Sequence, residues 1–547
     1  MSAVFEVGGH VPNAPGGFVF SNGSGGGGGS GFLPVGHFIN AKQAMIQIYP
    51  RPDTETNTFA RHRWAYYDGT NPVLYQIPLG VAFGAFPYVF SLQSGPPGMS
   101  IGATFWNTSW GTGSNPPFVD ARNAGYGVLQ WTPTGSVSGA TVSVLVTDQQ
   151  LNTTTITFTV STSSSTAQFL FFDSQFGNDS TGTGTISAPW QTMAQAIGTS
   201  FSTTNNASTL CYFRGRGSSF PYTMPAGSAS ATDFNDGSTC FEVNTLTKPS
   251  AYMGFPGDAL TSYIDLSNSF FACAHSADLF VQNLNPNGYH TATQNCRFFW
   301  IGGGGGNGGG LLSSRTTMDI NQWTNSGYGS SAGSNASSYY VNPTNSVASY
   351  IFINGCSETN RQSGNAGNNY CICSVYSCQN VLAQGNFIID PTLTIDEFCM
   401  PKSNITNGTW RGNYCQVASV QYICSPLQSV SGNAGVMSSV EICYNIDVGG
   451  TTGMAIPVGP TGQNYGALWC YRNNCRANLG ISCNGQGVGG PYVFENNASQ
   501  GSNSVPTGTG VTASGNIFQG SGLLDGTTGY LTSSFSSDVG TIGAQIA

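Results

Sequence analysis

Two carboxylates in the C-terminal half are spaced as a catalytic pair would be. Glu358 stands four residues after Asn354, and Asp390 stands four after Asn386. If those asparagines mark equivalent corners of successive turns of chain, the carboxylates stack on neighbouring strands about 4.8 Å apart. Carboxyl groups roughly 5 Å apart suit retaining glycoside hydrolysis, and a wider gap suits inversion. Arg361 is near Glu358 in sequence and could orient a sugar or a uronate carboxylate. Asp396-Glu397 is a second acidic pair, and Asp233, Asp236 and Asp258 precede them without the spacing of a calcium loop. Trp323, Tyr339, Tyr340, Trp410 and Trp469 offer flat apolar faces on which sugar rings stack. Every one of these groups also has a plainer reading: acids at loop starts are commonly solvated, and aromatic residues commonly fill cores.

Other chemistries find no support. The five histidines (His10, His37, His62, His275 and His290) have no partner spacing for a Ser-His-Asp arrangement. No glycine run leads into Gly-Lys-Ser/Thr, so phosphate loops are excluded. The run Cys371-x-Cys373-x4-Cys378 is not a zinc pattern, and no metal or cofactor is expected. Only Lys42, Lys248 and Lys402 are lysines and no basic run exists, which argues against binding nucleic acid through phosphates.

The elements that must position such groups are strands. Only 7% of the 547 residues are charged, against the usual quarter, while 75 are glycine. With 39% apolar and 12% aromatic residues and a net charge of −9, there is ample material for burial. This combination describes an all-β protein of several domains with many turns. From about residue 168 onward, short apolar strands recur, each followed by an Asn or Gly corner, as in Tyr350-Ile-Phe-Ile-Asn354-Gly355 and Val440-Glu-Ile-Cys-Tyr-Asn445. Markers at Asn354, Asn386, Asn413, Asn445, Asn474, Asn496 and Asn516 space the coils by roughly 20 to 30 residues, the period of a solenoid. Asn suits such corners because it tolerates a left-handed backbone. All 15 cysteines follow residue 210, and those inside apolar runs, such as Cys443 and Cys470, read as stacked buried thiols.

Two resemblances sharpen this reading. The block Phe169-Leu-Phe-Phe-Asp173 through Gly177-Asn178-Asp179 to Pro189-Trp190-Gln191-Thr192 resembles the opening of pectin-lyase-like right-handed parallel β-helices. Thr192, with Ala194, Ala196 and Ile197 behind it, reads as the start of an amphipathic helix, and the resemblance implies that this helix caps the first coil and that glycan sites lie on an outer sheet face. The ending Asp538-Val-Gly-Thr-Ile-Gly-Ala544 is similar to the tail of many β-helix proteins. Upstream, Tyr88-Val-Phe-Ser-Leu92, Gly95-Pro-Pro-Gly98, Gly127-Val-Leu-Gln-Trp131 and Val146-Thr-Asp148 resemble the Ig-like modules found beside adhesins and phage tail proteins, which mostly act as spacers.

The expected architecture is therefore a 1–57 extended, Gly-rich docking segment, a 58–161 Ig-like β-sandwich and a 168–547 parallel β-helix. This combination resembles bacteriophage tailspikes and tail fibres. The resemblance implies a homotrimer that docks to a tail or other particle protein through its N-terminal segment and binds a host cell-surface glycan, with or without cleaving it. An active member would be a glycoside hydrolase or polysaccharide lyase. The alternatives are a non-catalytic structural or decoration protein of a virion and a bacterial polysaccharide-degrading enzyme. Met1-Ser-Ala-Val-Phe-Glu-Val has no basic or apolar leader character, so the expectation is folding in a bacterial cytoplasm and residence in a virion. No run of 18 apolar residues predicts a membrane span.

Overall fold

The computed structural model describes residues 42–51, 60–102, 126–197, 210–224, 240–245, 250–258, 261–267, 270–276, 279–288, 297–301, 316–325, 337–341, 347–361, 370–401, 404–422, 437–448, 466–476, 491–500, 511–518, 522–525 and 531–532. Asp233, Asp236, the Gly302–Gly310 run and the Asp538–Ala544 ending lie outside them.

The N-terminal part forms two four-stranded sheets. Its strands are β1 (Ile46–Tyr49), β2 (Trp64–Tyr66), β3 (Tyr75–Ala82), β4 (Val89–Ser94), β5 (Ser100–Gly102), β6 (Gly127–Trp131), β7 (Ala140–Thr147) and β8 (Thr153–Ser163). One sheet runs β1-β3-β6-β5 and the other β2-β8-β7-β4. Pairing is antiparallel except between β2 and β8. Alternation drives it: Val142, Val144 and Val146 of β7 and Ile156, Phe158 and Val160 of β8 are buried, and Ser143, Leu145, Thr157 and Thr159 between them face the other way and are less buried. Trp131 is core, its indole N–H donating to the Pro97 carbonyl at 3.2 Å. Ile46–Tyr49, read from sequence as part of the leading segment, pairs with β3 instead.

From Phe169 onward the strands pair in parallel, consistent with a right-handed β-helix. Twelve strands form one sheet in unbroken order from Phe169–Phe172 to Val511–Ser514. A sixteen-stranded sheet carries the other two walls, which meet in the long strand Phe387–Pro401. Interior columns of Leu170, Phe172, Phe213, Val281, Met318, Ile353, Ala383, Trp410 and Ile442 fill the bore. Each coil thus buries its apolar face only against its neighbours.

From Asn283 onward, the described corners after the first wall have two parts. A residue with positive φ comes first: Asn283, Ile320, Gly355, Gly385, Gly412, Tyr444, Arg472, Asn496 and Gly515. A residue whose side chain or backbone joins coil to coil follows it. From Asn386 the second residue is Asn386, Asn413, Asn445, Asn473, Asn497 and Asn516, a continuous ladder. Each amide carbonyl accepts from the backbone N–H and the side-chain Nδ2 of the preceding ladder residue, at 2.8–3.1 Å. Each Nδ2 also donates to a backbone carbonyl of the previous coil, such as Asn445 to Trp410 at 3.1 Å. Backbone groups at the corner, which would otherwise be buried without partners, are satisfied in this way. The sequence markers at Asn354, Asn474 and Asn496 miss this slot, which is filled by Cys356, Asn473 and Asn497.

Of the expected capping helix, the described residues hold the turn Ala194–Ile197. What lies on the first coil is the loop between Asp173 and Thr192. Trp190 bridges Phe172 in parallel and donates its indole N–H to Gly182 O at 3.0 Å, while Asp179 accepts from the backbone of Gln191 and Thr192.

The N-terminal sheets are not a spacer held away from the solenoid. They lie along the outer face of its first wall and share one apolar cluster with it, including Ile48, Tyr66, Phe83, Phe86, Phe169, Phe171, Tyr212, Phe280, Phe352, Leu382 and Trp469. A Cβ on Gly80 would meet the Phe352 ring at 2.9 Å, so β3 needs glycine to come this close. Arg411, fully buried, reaches out of the solenoid to Tyr88 Oη (2.6 Å), Val81 O (3.0 Å) and Gln384 Oε1 (2.6 Å). Its guanidinium also stacks on Phe86. Lys42 pairs with Glu495 at 2.7 Å near the far end of the same wall.

Candidate functional site

The structure does not bring Glu358 and Asp390 together as a surface pair. Glu358 registers with Ile388, and Asp390 registers with Val417. The error follows from the corner: with Cys356 in the slot rather than Asn354, Glu358 falls two positions short of Asp390. Glu358 is 1% exposed and points into the bore, where it pairs with buried Arg361 and accepts the Ile372 N–H at 2.7 Å. Arg361 therefore holds a carboxylate of its own chain rather than facing solvent. Asp390 lies half-buried on the strand Phe387–Pro401, accepting from Thr392 N (3.1 Å) and Oγ1 (2.7 Å).

The aromatic candidates are also interior. Trp323 fills the bore and donates its indole N–H to Gly288 O at 2.8 Å. Tyr339 and Trp410 are core residues, and Trp469 packs edge-on against Phe83 beneath the N-terminal sheets. Tyr340 sits between buried neighbours on its strand, in register with Trp300 and Ser374, and its side chain lies outside the described set. None of the described candidates is a platform for a sugar. Glu397 is buried, and the Asp396 side chain lies outside the described set.

Four other described acids, Asp258, Asp173, Asp319 and Glu441, have structural partners. Asp258 pairs with Arg214 at 3.0 Å and accepts the Gly215 N–H at 2.8 Å. Burial raises the Asp173 carboxyl, but hydrogen bonds from Arg216, Phe176 and Gln175 outweigh it and hold the group below the usual range. Beneath the N-terminal sheets, burial dominates. It pushes Asp319 up to about 7 despite hydrogen bonds from Gln282 (2.8 Å) and Asn354 (2.7 Å). It also raises Glu441, which accepts from Tyr471 and Thr409.

An outward-facing row on the second wall offers a surface of a different kind. It occupies the third position after each corner residue: Asp265, Asn287, Thr324, Thr359, Ile389, Gln416, Val448, Arg476 and Gln500. Register places each beside the next: Asp265 opposite Asn287, Asn287 opposite Thr324, Thr324 opposite Thr359 and Ile389 opposite Gln416. The later pairs follow from Cys415 opposite Asp447, Asp447 opposite Cys475 and Cys475 opposite Ser499. Except for buried Val448, these side chains are half-buried or exposed, and Ile389 is 42% exposed.

Local bonds stiffen the first half of the row. Thr324 Oγ1 lies 2.7 Å from Asn285 Oδ1, to which it donates, and 3.3 Å from Thr359 Oγ1. Asn325 Nδ2 donates to Asn287 Oδ1 at 2.8 Å. Asn287, Thr324 and Thr359 thus form a straight line of one amide and two hydroxyls at about 4.8 Å intervals, able to hydrogen-bond a polar polymer lying along the axis. Asp265 and Arg476 are the charged members, seven strand steps or about 34 Å apart, so they cannot act together on one bond. Nothing in the sequence sets the row apart, because its members are single polar, charged and aliphatic residues; counting three positions from the correct corner residue finds it.

Comparison with family models, with curated proteins and with solved structures returns no match for this chain.

Proposed function

We propose that this chain is a bacteriophage tailspike or tail fibre, a receptor-binding protein that attaches the particle to its host by binding surface polysaccharide. In this reading residues 58–161 are an Ig-like module and 168–547 a right-handed β-helix. The 1–57 segment engages a tail or other particle protein. The protein folds in the bacterial cytoplasm and works as a homotrimer on the virion, multiplying weak sugar contacts through avidity.

The observation that carries the reading is the outward row from Asp265 to Gln500, on a wall the N-terminal sheets leave open in its first half. Its run of neutral donors and acceptors on successive strands, Asn287, Thr324 and Thr359, suits a hydroxyl-rich polymer better than a peptide or a nucleic acid. With Glu358 interior and the Asp390 carboxylate held by Thr392, the row in this reading holds sugar rather than cuts it.

Incubating the protein with a panel of purified bacterial capsular and lipopolysaccharide glycans tests this. Retention of at least one glycan without new reducing ends or unsaturated sugars is the expected result. New ends would establish an enzyme, and no retention across the panel would favour a structural or decoration role.

A further inference from the structure

We propose that Cys373 and Cys399 are a redox-sensitive staple: two thiols on adjacent coils, placed to join as a reversible disulfide that locks one coil to the next. This inference goes beyond the attachment reading and does not depend on it. Cys373 lies on the strand Tyr370–Val375 and Cys399 on the strand Phe387–Pro401, directly opposite each other in the parallel register. Their sulfurs are 3.1 Å apart. Backbones of paired parallel strands are about 4.8 Å apart, within the Cα separation of roughly 4.4–6.8 Å that a disulfide accepts. Bond formation therefore asks for a small approach of two side chains and no change of register.

Both thiols are fully buried, which selects the oxidant. Hydrogen peroxide is small enough to enter during opening of a coil edge, whereas glutathione is not. One thiol, losing its proton, attacks a peroxide oxygen; the O–O bond breaks, giving a sulfenic acid and one water. The second sulfur attacks the sulfenic sulfur, the S–O bond breaks and a second water leaves. Two thiols and one peroxide thus become one disulfide and two waters. Where peroxide is kept scarce the pair persists as thiols, and where peroxide accumulates the disulfide forms. The bond would close a loop of chain between neighbouring coils and restrain the unfolded state.

The test uses the full chain. The native protein is exposed to hydrogen peroxide, remaining thiols are alkylated, and the protein is digested without reductant for mass spectrometry. A peptide pair joining Cys373 to Cys399, lost on treatment with dithiothreitol, is expected. Peroxide should raise Tm by roughly 3 °C, and Cys399→Ser should abolish that rise. Recovery of both residues as alkylated thiols, or of either as a sulfinic acid without the linked pair, would overturn the proposal. That readout is made on the unmodified sequence and does not depend on whether the variant folds.

Discussion

Removing the Glu358 carboxylate acts on stability. Glu358→Gln deletes the charge that faces Arg361 in the bore and weakens the acceptor for the Ile372 N–H. Breaking a buried pair from one side costs about 3 kcal/mol or more. The expected outcome is a lowered midpoint in urea unfolding, with any polysaccharide affinity of the folded fraction unchanged. Asp319 makes a separate prediction, in pH. Its folded carboxyl is raised to about 7 by burial, from an ordinary value of 3.8. Between those values the native state holds a proton that the unfolded chain has released. Stability from this group is therefore full below about pH 4, falls as pH rises through 7 and stays low above it, by up to roughly 4 kcal/mol. Asp319→Asn should flatten that slope, measured as the difference in unfolding free energy between wild type and variant from pH 4 to pH 8.

The corner is the element on which the solenoid's register depends. Asn445→Ala removes donors to Trp410 O and Asn473 Oδ1 and an acceptor for two nitrogens of Asn413. Leaving those groups buried and unsatisfied should cost about 3 kcal/mol, read by thermal or chemical unfolding. The same element explains what the sequence could and could not disclose. Where the left-handed residue is glycine, as in Gly385-Asn386, Gly412-Asn413 and Gly515-Asn516, order and spacing mark the slot correctly. At Asn354-Gly355-Cys356 the left-handed glycine precedes a cysteine, so the asparagine in front of it drew the marker two positions early. The doublets Asn473-Asn474 and Asn496-Asn497 offer two asparagines for one slot, and the sequence alone does not separate them. Strand recurrence was legible because burial imposes it on every coil. The exact corner was not, because one residue of slippage turns every following side chain to the other face.

At the scale of the molecule, the first wall of the solenoid has an apolar outer face that solvent would not tolerate. Phe169, Phe171, Tyr212, Phe280, Phe352 and Trp469 are buried there against the N-terminal sheets. Such a cover was not visible in the sequence, since an aromatic residue facing out of a coil and one facing in look alike. Deleting residues 1–163 should expose this face as one continuous apolar strip, and the remaining chain should aggregate or bind a hydrophobic dye on size-exclusion analysis. The cover also decides which wall is free to meet a ligand: with the first occupied, the outward row of the second carries the proposed attachment. The most direct test is the affinity of the full chain for a polysaccharide retained from the panel, compared with the double variant Asn287→Ala/Thr324→Ala. Loss of two neutral hydrogen-bonding groups should weaken binding about tenfold or more, with Tm little changed. Equal affinity in the two proteins would place the sugar elsewhere and contradict the account.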